Sequence, residues 1–325
     1  MPPQDEIVLT SQELAKLSDE ELVKILPSLR VIARALPSDK NRLVRVAQSV
    51  GLVVGMTGDG VNDAPALKSA DVGFAMGSGT EVAKEAGDVI IMDDNITSIS
   101  KSVGFGRTIF KSIRKFLIFK LTINFVAVGI SILAPFLGIG VPITVLQMLW
   151  INIVMDTLAG LAYGGEKPRA SYMAEPPKRR SDPIITRYMW GQIGFASLFI
   201  GGLSLWFLLS RQVQSSLAPY GEIYAMTAFF AFFMFINIFN TFNSRTHDVN
   251  LISYLSLNKP FIYIMGLVTL VQVLFIFFGG SIFRTEMLNF QHFIFVTLLA
   301  FTVLPVDMLR KLFLKWRYGS KMVNT

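Results

Sequence analysis

The amino-acid sequence predicts a protein in two parts, an α/β unit followed by an all-α bundle that lies in a membrane. Hydrophobic residues make up 52% of the 325 residues and charged residues only 16%, whereas soluble proteins carry about 25% charged residues. The first third of the chain alternates short apolar runs with amphipathic patterns, and residues 111–312 hold six long apolar stretches. This combination excludes a disordered chain, a coiled coil and a soluble enzyme that occupies the whole length.

Residues 1–29 predict peripheral surface helices of the α/β unit. The segment SQELAKLSDEELVKILPSL contains Ser and Asp start signals for one or two helices. Acidic residues occur early in the chain, and no apolar run of about 7–15 residues precedes them, so a signal peptide is not expected.

Residues 30–94 predict strands and helices in strict alternation. The successive segments are LRVIARA, SDKNRLVRVAQSV, LVVGMTG, NDAPALKSA, VGFAM, GTEVAKEAG and VIIMD. The strand segments are continuous apolar runs, which are typical of a parallel sheet covered on both faces. We therefore predict a β-α-β-α-β-α-β unit over these residues.

Residues 95–115 predict a stalk helix, because no proline or turn signal separates them from the first apolar stretch. A membrane-spanning helix needs about 20 residues to cross a hydrocarbon core of about 30 Å. Buried helices of a large soluble protein are the alternative, but six such stretches in about 200 residues argue against it. The predicted spans are 116–138, 141–163, 188–210, 222–243, 260–280 and 290–309.

Basic residues concentrate in alternate connections of the predicted bundle. Six Lys or Arg residues lie in the connection 164–187 and five in the tail 310–325, which includes Lys321. Since basic loops remain on the cytoplasmic side, we expect both termini to be cytoplasmic. The same distribution assigns the net charge of +7 to the membrane surface and not to nucleic-acid binding.

The segment 57–68, TGDGVNDAPALK, carries the strongest chemical signal in the chain. It follows an apolar strand and opens a helix, so it lies at the carboxyl edge of the sheet, where α/β proteins bind ligands. Gly58 and Gly60 allow the backbone to approach a ligand closely. Asp59 and Asp63 are hard oxygen donors that suit magnesium. The sequence contains no Cys, which excludes a thiolate metal site and a cysteine nucleophile.

Two further residues extend this predicted site. Asn62 and the backbone N–H groups at the start of the helix can bind an anion. Lys40 follows another strand of the same edge, where its ammonium can neutralise a phosphoryl group. An Asp/Gly/Asn-rich turn that caps a helix is the alternative, and it would be preferred for a bare Gly-Asp-Gly. The whole twelve-residue segment favours the ligand site.

Residues 56–95, MTGDGVNDAPALKSADVGFAMGSGTEVAKEAGDVIIMDDN, resemble the hinge and magnesium-binding segment of P-type cation ATPases. The phosphorylation domain of that family has a haloacid dehalogenase-like fold, and the resemblance extends through the six spans to about residue 312. It implies that residues 30–94 are the C-terminal part of such a domain. It also implies that ATP is the substrate of the complete pump.

The resemblance also implies roles for single residues of the hinge segment. Asp59 and Asp63 hold magnesium in this interpretation, and Asn62 helps to bind phosphate. Lys40 stabilises the phosphorylated aspartate. Thr57 and Gly58 line the same catalytic site.

Several parts of the family pattern have no counterpart in these 325 residues. They are the DKTGT signature of the phosphorylated residue, the TGE loop, the nucleotide-binding domain and four earlier spans. We therefore expect the C-terminal part of a pump, inactive alone, with the N-terminal half as its partner. A non-enzymatic membrane protein that assembles with or regulates a complete pump is the alternative. A tethered magnesium-dependent phosphatase would need a DxD or DKT sequence, which is absent.

Asp156 is the only acidic residue deep within a predicted span, and a carboxylate there is expected to be functional. Asn152 lies one turn earlier on the same helix face. Asn124 in the first span and Asn237 in the fourth add amide oxygens, and calcium takes about 6–8 oxygen ligands. For Asn237, interhelical hydrogen bonding remains an equal alternative.

Two other residues of these spans carry structural expectations. Gly160 and nearby small residues are expected to let the helix unwind and offer carbonyl oxygens. Lys120 lies near the cytoplasmic end of its span, so its ammonium is expected to extend to the membrane surface.

The segments LTINFVAVG, LQMLWINIVMDTLAGLAYGGEKP and DPIITRYMWGQI resemble plasma-membrane-type calcium ATPases. Reticulum-type pumps carry acids at the positions of Ala127 and Asn237, and both departures fit one transported calcium ion instead of two. The resemblance implies calcium as the transported ion and the plasma or cell membrane as the location.

Overall fold

The computed structural model describes residues 6–319. Residues 1–5 of the predicted peripheral segment and residues 320–325 of the predicted tail, with Lys321, lie outside the described residues. The chain divides into two compact units. One comprises Met1–Gly106 and Ala170–Pro183, and the other comprises Arg107–Arg169 and Ile184–Thr325.

The α/β unit contains every strand and helix predicted for residues 30–94. The elements are β1 (Ile7–Thr10), α1 (Ser11–Lys16), α2 (Asp19–Ile25), β2 (Leu29–Ala33), α3 (Pro37–Ser49), β3 (Gly55–Gly58), α4 (Ala64–Ser69), β4 (Val72–Met76), α5 (Glu81–Ala86) and β5 (Val89–Ile91). The alternation of apolar runs with helical patterns therefore located these elements correctly. The additional strand, β1, was not predicted.

The peripheral helices α1 and α2 each begin at a capping box. Thr10 and Ser18 accept hydrogen bonds from the backbone N–H groups of Glu13 and Glu21 at 3.3 and 3.2 Å. The glutamates bond back to the cap residues, so the first N–H groups of each short helix are satisfied. Where the sequence predicts one or two helices, the structure has two, and Thr10 and Ser18 are their cap residues.

The strands pair in parallel, as predicted, but they form two sheets. β1 pairs with β2, whereas β3, β4 and β5 form a second sheet in that order. Within the described residues β2 and β3 are not hydrogen-bonded to each other, which corrects the expectation of a single sheet edge. The expected cover on both faces is also incomplete, because Val8 and Val31 of the first sheet are exposed.

Within residues 6–319 six helices are long and apolar enough to cross a membrane by length and composition. The first of them begins before Arg107, where the second unit starts, and the other five lie within that unit. The prediction of a six-helix bundle is therefore confirmed. The first helix begins at Ile96, so stalk and first span form one continuous helix of 41 residues. These helices are α6 (Ile96–Phe136), α7 (Val145–Gly164), α8 (Arg187–Leu209), α9 (Glu222–Arg245), α10 (Lys259–Phe278) and α11 (Phe290–Tyr318).

Helix α9 forms the centre of the bundle. In its apolar window 78% of the residues are buried, compared with 22–39% in the other five helices. Four phenylalanines of this helix are fully buried, namely Phe229, Phe230, Phe232 and Phe233. The outer helices instead expose large apolar side chains such as Leu198 and Phe278, which are suited to contact with lipid.

Candidate functional site

The hinge segment places Asp63 at the centre of a small charged site. Strand β3 ends at Gly58, and a short 3₁₀ turn leads from Val61 to Asp63 at the start of α4. Lys40 Nζ, from the first turn of α3, donates a hydrogen bond to Asp63 Oδ1 at 2.6 Å. The backbone N–H groups of Asp59 and Gly60 point to Asp63 Oδ2, each at 3.4 Å. The structure therefore joins the side chains of Lys40 and Asp63, and it links Asp59 to them through its backbone N–H group.

These contacts determine the charge state of Asp63. Its side chain is 10% exposed, and burial alone raises the pKa of a carboxyl group. The hydrogen bond from Lys40 and the backbone N–H groups outweigh burial and hold the pKa of Asp63 below its usual value. Asp63 is therefore a carboxylate at neutral pH, and one of its oxygens is paired with the Lys40 ammonium.

Position 58 has room only for glycine, because the Asp63 side chain lies against it. A Cβ atom at this position would lie 2.4 Å from Asp63 Cβ, well inside the closest approach of two carbon atoms. The expected close approach at Gly58 is therefore made by a side chain of the same segment. At Gly60 the nearest atom would be 3.8 Å away, so the structure shows no such close approach there.

A second loop supports the hinge from the end of β4. The Thr80 N–H donates to the Asp59 carbonyl oxygen at 2.8 Å. A Cβ atom on Gly79 would lie only 2.8 Å from that same oxygen. The predicted site does not include this support, although the Gly-Ser-Gly-Thr cluster directly after a strand is a turn signal.

The remaining hinge residues are accessible. Thr57 lies on β3 opposite Phe74 of β4, and Asn62 lies in the 3₁₀ turn, with both side chains exposed. Among the described residues no group of three or more acidic or His side chains could hold a metal ion. The side chains of Asp59 and Asp63 are oxygen donors of the kind that suits a magnesium ion whose other ligands are water and phosphate oxygens.

In the helical unit the structure brings Asp156 and Asn152 together through Lys120. Lys120 of α6 forms an ion pair with Asp156 Oδ2, and its Nζ also donates to Asn152 Oδ1 at 2.9 Å. The Asp156 side chain is only 6% exposed. Its second oxygen, Oδ1, is buried and has no hydrogen-bond partner within the described residues. The expectation that Lys120 extends to the membrane surface is therefore wrong, because a buried carboxylate holds its ammonium.

Helix α7 is irregular immediately before Asp156. Residues Ile151–Met155 form a π-helical segment, whereas Asp156–Gly164 is regular α-helix. Gly160 lies within the regular α-helical part, so the expectation that the helix unwinds at this glycine is wrong. π-Helical segments are frequent at functional sites, because they change the direction of side chains within an otherwise regular helix.

The other two predicted amide ligands, Asn124 and Asn237, lie on different helices from Asp156. Asn124 lies one turn after Lys120 on α6, so both residues share a helix face. Asn237 is fully buried in α9, and its Nδ2 donates to the Phe233 carbonyl oxygen of the same helix at 2.7 Å. Its oxygen has no hydrogen-bond partner in the described part of the chain. The observed hydrogen bond of Asn237 is thus within its helix, and none joins it to Asp156.

Asp307 of α11 is a further buried carboxylate that is not among the predicted site residues. Arg310 Nε donates to Asp307 Oδ1 at 2.6 Å, and Lys311 Nζ lies 3.0 Å from Oδ2. Lys311 also donates to the Asn243 carbonyl oxygen near the end of α9 at 2.9 Å. Spacings of three and four residues place all three side chains on one helix face, which was the available signal.

Comparison with known families assigns both units. Residues 140–313 match the family described as "Cation transporting ATPase, C-terminus". Residues 54–103 match the family described as "haloacid dehalogenase-like hydrolase". The second match contains the hinge segment, and the first contains Asn152, Asp156 and Asn237.

Individual relatives agree with these matches. Calcium-transporting ATPase 2 of Schizosaccharomyces pombe is 37% identical over 293 residues, which cover 88% of this chain and 22% of that protein. Probable calcium-transporting ATPase 6, plasma membrane-type, of Oryza sativa subsp. japonica is 37% identical over 292 residues, covering 88% and 28%. Putative calcium-transporting ATPase 11, plasma membrane-type, of Arabidopsis thaliana is 37% identical over 299 residues, covering 90% and 29%.

The chain thus spans between a fifth and a third of the length of these curated relatives. The predicted resemblance and fold class are both confirmed. Six apolar helices together with the family match identify an integral membrane protein. The chain belongs to the P-type cation-transporting ATPase family and corresponds to the C-terminal, membrane-spanning portion of its pumps.

Proposed function

We propose that the chain is part of an ATP-driven pump that exports calcium from the cytoplasm through an aspartyl-phosphate cycle. The observation that carries this proposal is the buried Asp156 carboxylate, which has one oxygen without a partner in the described residues and Asn152 beside it. Relatives named calcium-transporting ATPases, two of them plasma membrane-type, support calcium as the ion and the plasma membrane as the location.

The hinge segment would serve the phosphorylation chemistry of that pump. We infer that Asp59 and Asp63 hold magnesium, which would neutralise charge on the phosphate group that ATP donates. Asp63 is already ionised and oriented by backbone N–H groups. Because Gly58 has no side chain, the Asp63 side chain can pack closely against it.

Lys40, Asn62 and Thr57 would act on the phosphate group itself. The Lys40 ammonium reaches Asp63 from α3, so it lies within one side-chain length of the proposed magnesium position. As a flexible point charge it can turn from Asp63 to a phosphoryl oxygen. Thr57 on β3 and Asn62 in the 3₁₀ turn are both exposed, and their hydroxyl and amide groups can donate hydrogen bonds to phosphate.

The ion site would combine Asp156, Asn152 and Asn124, with Asn237 as a further candidate ligand. Asp156 supplies the charge, and the amides supply neutral oxygens. Calcium takes about 6–8 oxygen ligands, so these side chains form part of a shell. We propose that backbone carbonyl oxygens of the π-helical segment Ile151–Met155, which directly precedes Asp156, add to this shell.

The proposed topology puts both termini in the cytoplasm. Residues Ala170–Pro183, from the most basic connection, belong to the same compact unit as the hinge segment. Within that unit Arg180 forms an ion pair with Asp71 at 2.9 Å. This arrangement supports a common side for the basic connection and the α/β unit, with the bilayer around the six helices and no nucleic-acid partner.

The proposed partner is the N-terminal half of the pump, and the chain alone is proposed to be inactive. Within the described residues β2 pairs only with β1, and β3 pairs only with β4. Each of these strands therefore presents an edge to which another chain segment can add. The same edges support the second candidate, a non-enzymatic membrane protein that assembles with or regulates a complete pump.

Complementation tests the proposal. The chain is expressed in membrane vesicles alone, or together with the N-terminal half of a plasma-membrane-type relative, and ATP-dependent calcium uptake is measured. We expect uptake only with both halves, loss of uptake with Asp156→Asn, and normal uptake with Asp248→Asn, an exposed aspartate of the same unit. Uptake that persists in Asp156→Asn would contradict the ion site. Assembly of the halves without any uptake would favour the non-enzymatic candidate.

A further inference from the structure

Lys120 occupies two of the proposed ion ligands at once. Its ammonium forms the ion pair with Asp156 and donates to the side-chain oxygen of Asn152 at 2.9 Å. The Lys120 side chain is 25% exposed, so it is held inside the helical unit along most of its length. A positive charge of the protein itself therefore stands where the transported ion is proposed to bind.

The pairing leaves the carboxylate half satisfied. Asp156 Oδ2 has the ammonium, whereas Asp156 Oδ1 is buried and has no partner in the described part of the chain. A single ammonium offers three donors from one side, but a calcium ion gathers about 6–8 oxygen atoms around itself. A divalent ion can therefore use both oxygens of Asp156 together with the Asn152 amide oxygen, which Lys120 cannot do.

The side chains concerned are able to rearrange. Lysine carries its charge on a flexible four-carbon stem, so the ammonium can leave Asp156 without movement of the α6 backbone. Asn152 is exposed and lies in the π-helical segment that precedes Asp156. Displacement moves the ammonium to another position and leaves its proton in place.

We propose that Lys120 is a built-in cation of the ion site, which occupies Asp156 and Asn152 while the site is empty and must be displaced by the transported ion. This inference rests on the proposed function of Asp156 as an ion ligand. Lys120 then sets the affinity of the site. It also favours divalent ions, because an ion of charge +2 attracts the carboxylate more strongly than the ammonium does, whereas a monovalent ion has no such advantage.

The calcium dependence of the assembled pump tests this role. In the co-expressed halves, the calcium concentration for half-maximal phosphorylation from ATP is measured for the wild type, Lys120→Gln and Lys120→Arg. Removing the competing charge in Lys120→Gln should lower this concentration by about tenfold or more. Lys120→Arg keeps the charge and should resemble the wild type. Lys101→Gln, the same change at an exposed lysine of α6, is the control.

Thermal unfolding of the 325-residue chain in detergent provides a second readout. Without Lys120 the Asp156 carboxylate has no cation in the empty site, so Lys120→Gln should melt at a lower temperature than the wild type in a calcium chelator. Calcium should raise the melting temperature of Lys120→Gln more than that of the wild type. A variant that fails to fold even in calcium contradicts the proposal, since calcium should replace the missing charge.

The outcomes separate the two proposals. If Asp156→Asn keeps normal calcium dependence, the proposed function of Asp156 fails, and the role of Lys120 fails with it. If Asp156→Asn loses calcium dependence but Lys120→Gln matches the wild type or needs more calcium, only the built-in cation is overturned.

Discussion

The hinge segment and the helical unit each pair a buried aspartate with a lysine, but the two carboxylates differ in how completely they are satisfied. Asp63 receives Lys40 on one oxygen and two backbone N–H groups on the other. Asp156 receives Lys120 on one oxygen, and its other oxygen has no partner within the described residues. Within the described residues both oxygens of Asp63 accept hydrogen bonds, whereas Asp156 is bonded only through the oxygen that meets Lys120.

An added cation stabilises the less satisfied carboxylate more. An aspartate whose oxygens are both bonded gains little from an added cation, because the cation must first displace existing donors. A buried carboxylate with a free oxygen gains a ligand that the protein does not supply. We therefore expect the hinge to bind its metal weakly without phosphate and the helical unit to depend strongly on its cation.

Removing the lysine at each site gives the largest contrast. Lys120→Met leaves the Asp156 carboxylate buried without a cation, which should lower the free energy of unfolding by about 3–5 kcal/mol. Lys40→Met should lower it by about 1 kcal/mol or less, because the Lys40 side chain is 37% exposed and Asp63 keeps its backbone contacts. Unfolding of the whole chain in detergent with calcium chelated measures both values. Equal losses would remove the distinction between the sites.

The space around Asp63 can be tested without changing any charge. Gly58→Ala puts a Cβ atom on Asp63 and should lower the free energy of unfolding by about 1–3 kcal/mol. Gly60→Ala serves as the control, because its nearest neighbour lies 3.8 Å away and its φ of −108° suits any residue. The same unfolding measurement decides the point. If Gly60→Ala lowered the free energy of unfolding as much as Gly58→Ala, both positions would need glycine for its backbone freedom and not for lack of space.

The Asp63–Lys40 pair should also give the hinge a dependence on pH. The pKa of Asp63 lies below its usual value in the folded chain. The pair therefore stabilises the folded chain at pH values above the ordinary aspartate pKa of about 3.9. Its contribution is lost as the pH falls through the folded-state pKa. Asp63→Asn should therefore reduce stability at pH 7 by about 1 kcal/mol and show almost no difference from wild type at strongly acid pH. A difference that grows on acidification would contradict this assignment.

Magnesium binding by the chain alone is the smallest expected effect. Two carboxylates, one of them already paired, should give a dissociation constant in the millimolar range at best, because magnesium relies on phosphate oxygens to complete its shell. Calorimetric titration of the chain in detergent measures this constant, with Asp59→Asn as the control. Sub-micromolar affinity would show that the chain holds a complete magnesium site by itself.

The sequence predicted most of the fold because local patterns determine it. Six apolar stretches of sufficient length became the six long helices, and alternating apolar runs became the strands and helices of residues 30–94. Strand β1 was missed because four residues carry little pattern, and their pairing with β2 depends on contacts across two intervening helices. The division into two sheets likewise depends on which strands meet in space.

The candidate site also contains features that local sequence patterns predict and features that depend on contacts between distant residues. The twelve-residue hinge pattern indicates Asp59, Asp63 and Gly58, and in the structure Asp63 contacts Lys40, the Asp59 N–H group and Gly58. Lys120 was misjudged because its partner lies 36 residues away on another helix, and hydropathy does not show which face of a helix meets which neighbour. The π-helical segment before Asp156 had no sequence signal, since neither glycine nor proline occurs within it.

The most direct test of this account compares phosphorylation of the assembled pump from two directions. Variants Asp156→Asn and Asp63→Asn are each incubated with labelled ATP and calcium, or with labelled inorganic phosphate and magnesium without calcium. We expect Asp156→Asn to lose calcium-dependent labelling from ATP and to keep labelling from inorganic phosphate, because only its ion ligand is gone. Asp63→Asn should lose both, because its magnesium ligand serves both directions. Normal calcium dependence in Asp156→Asn would contradict the account.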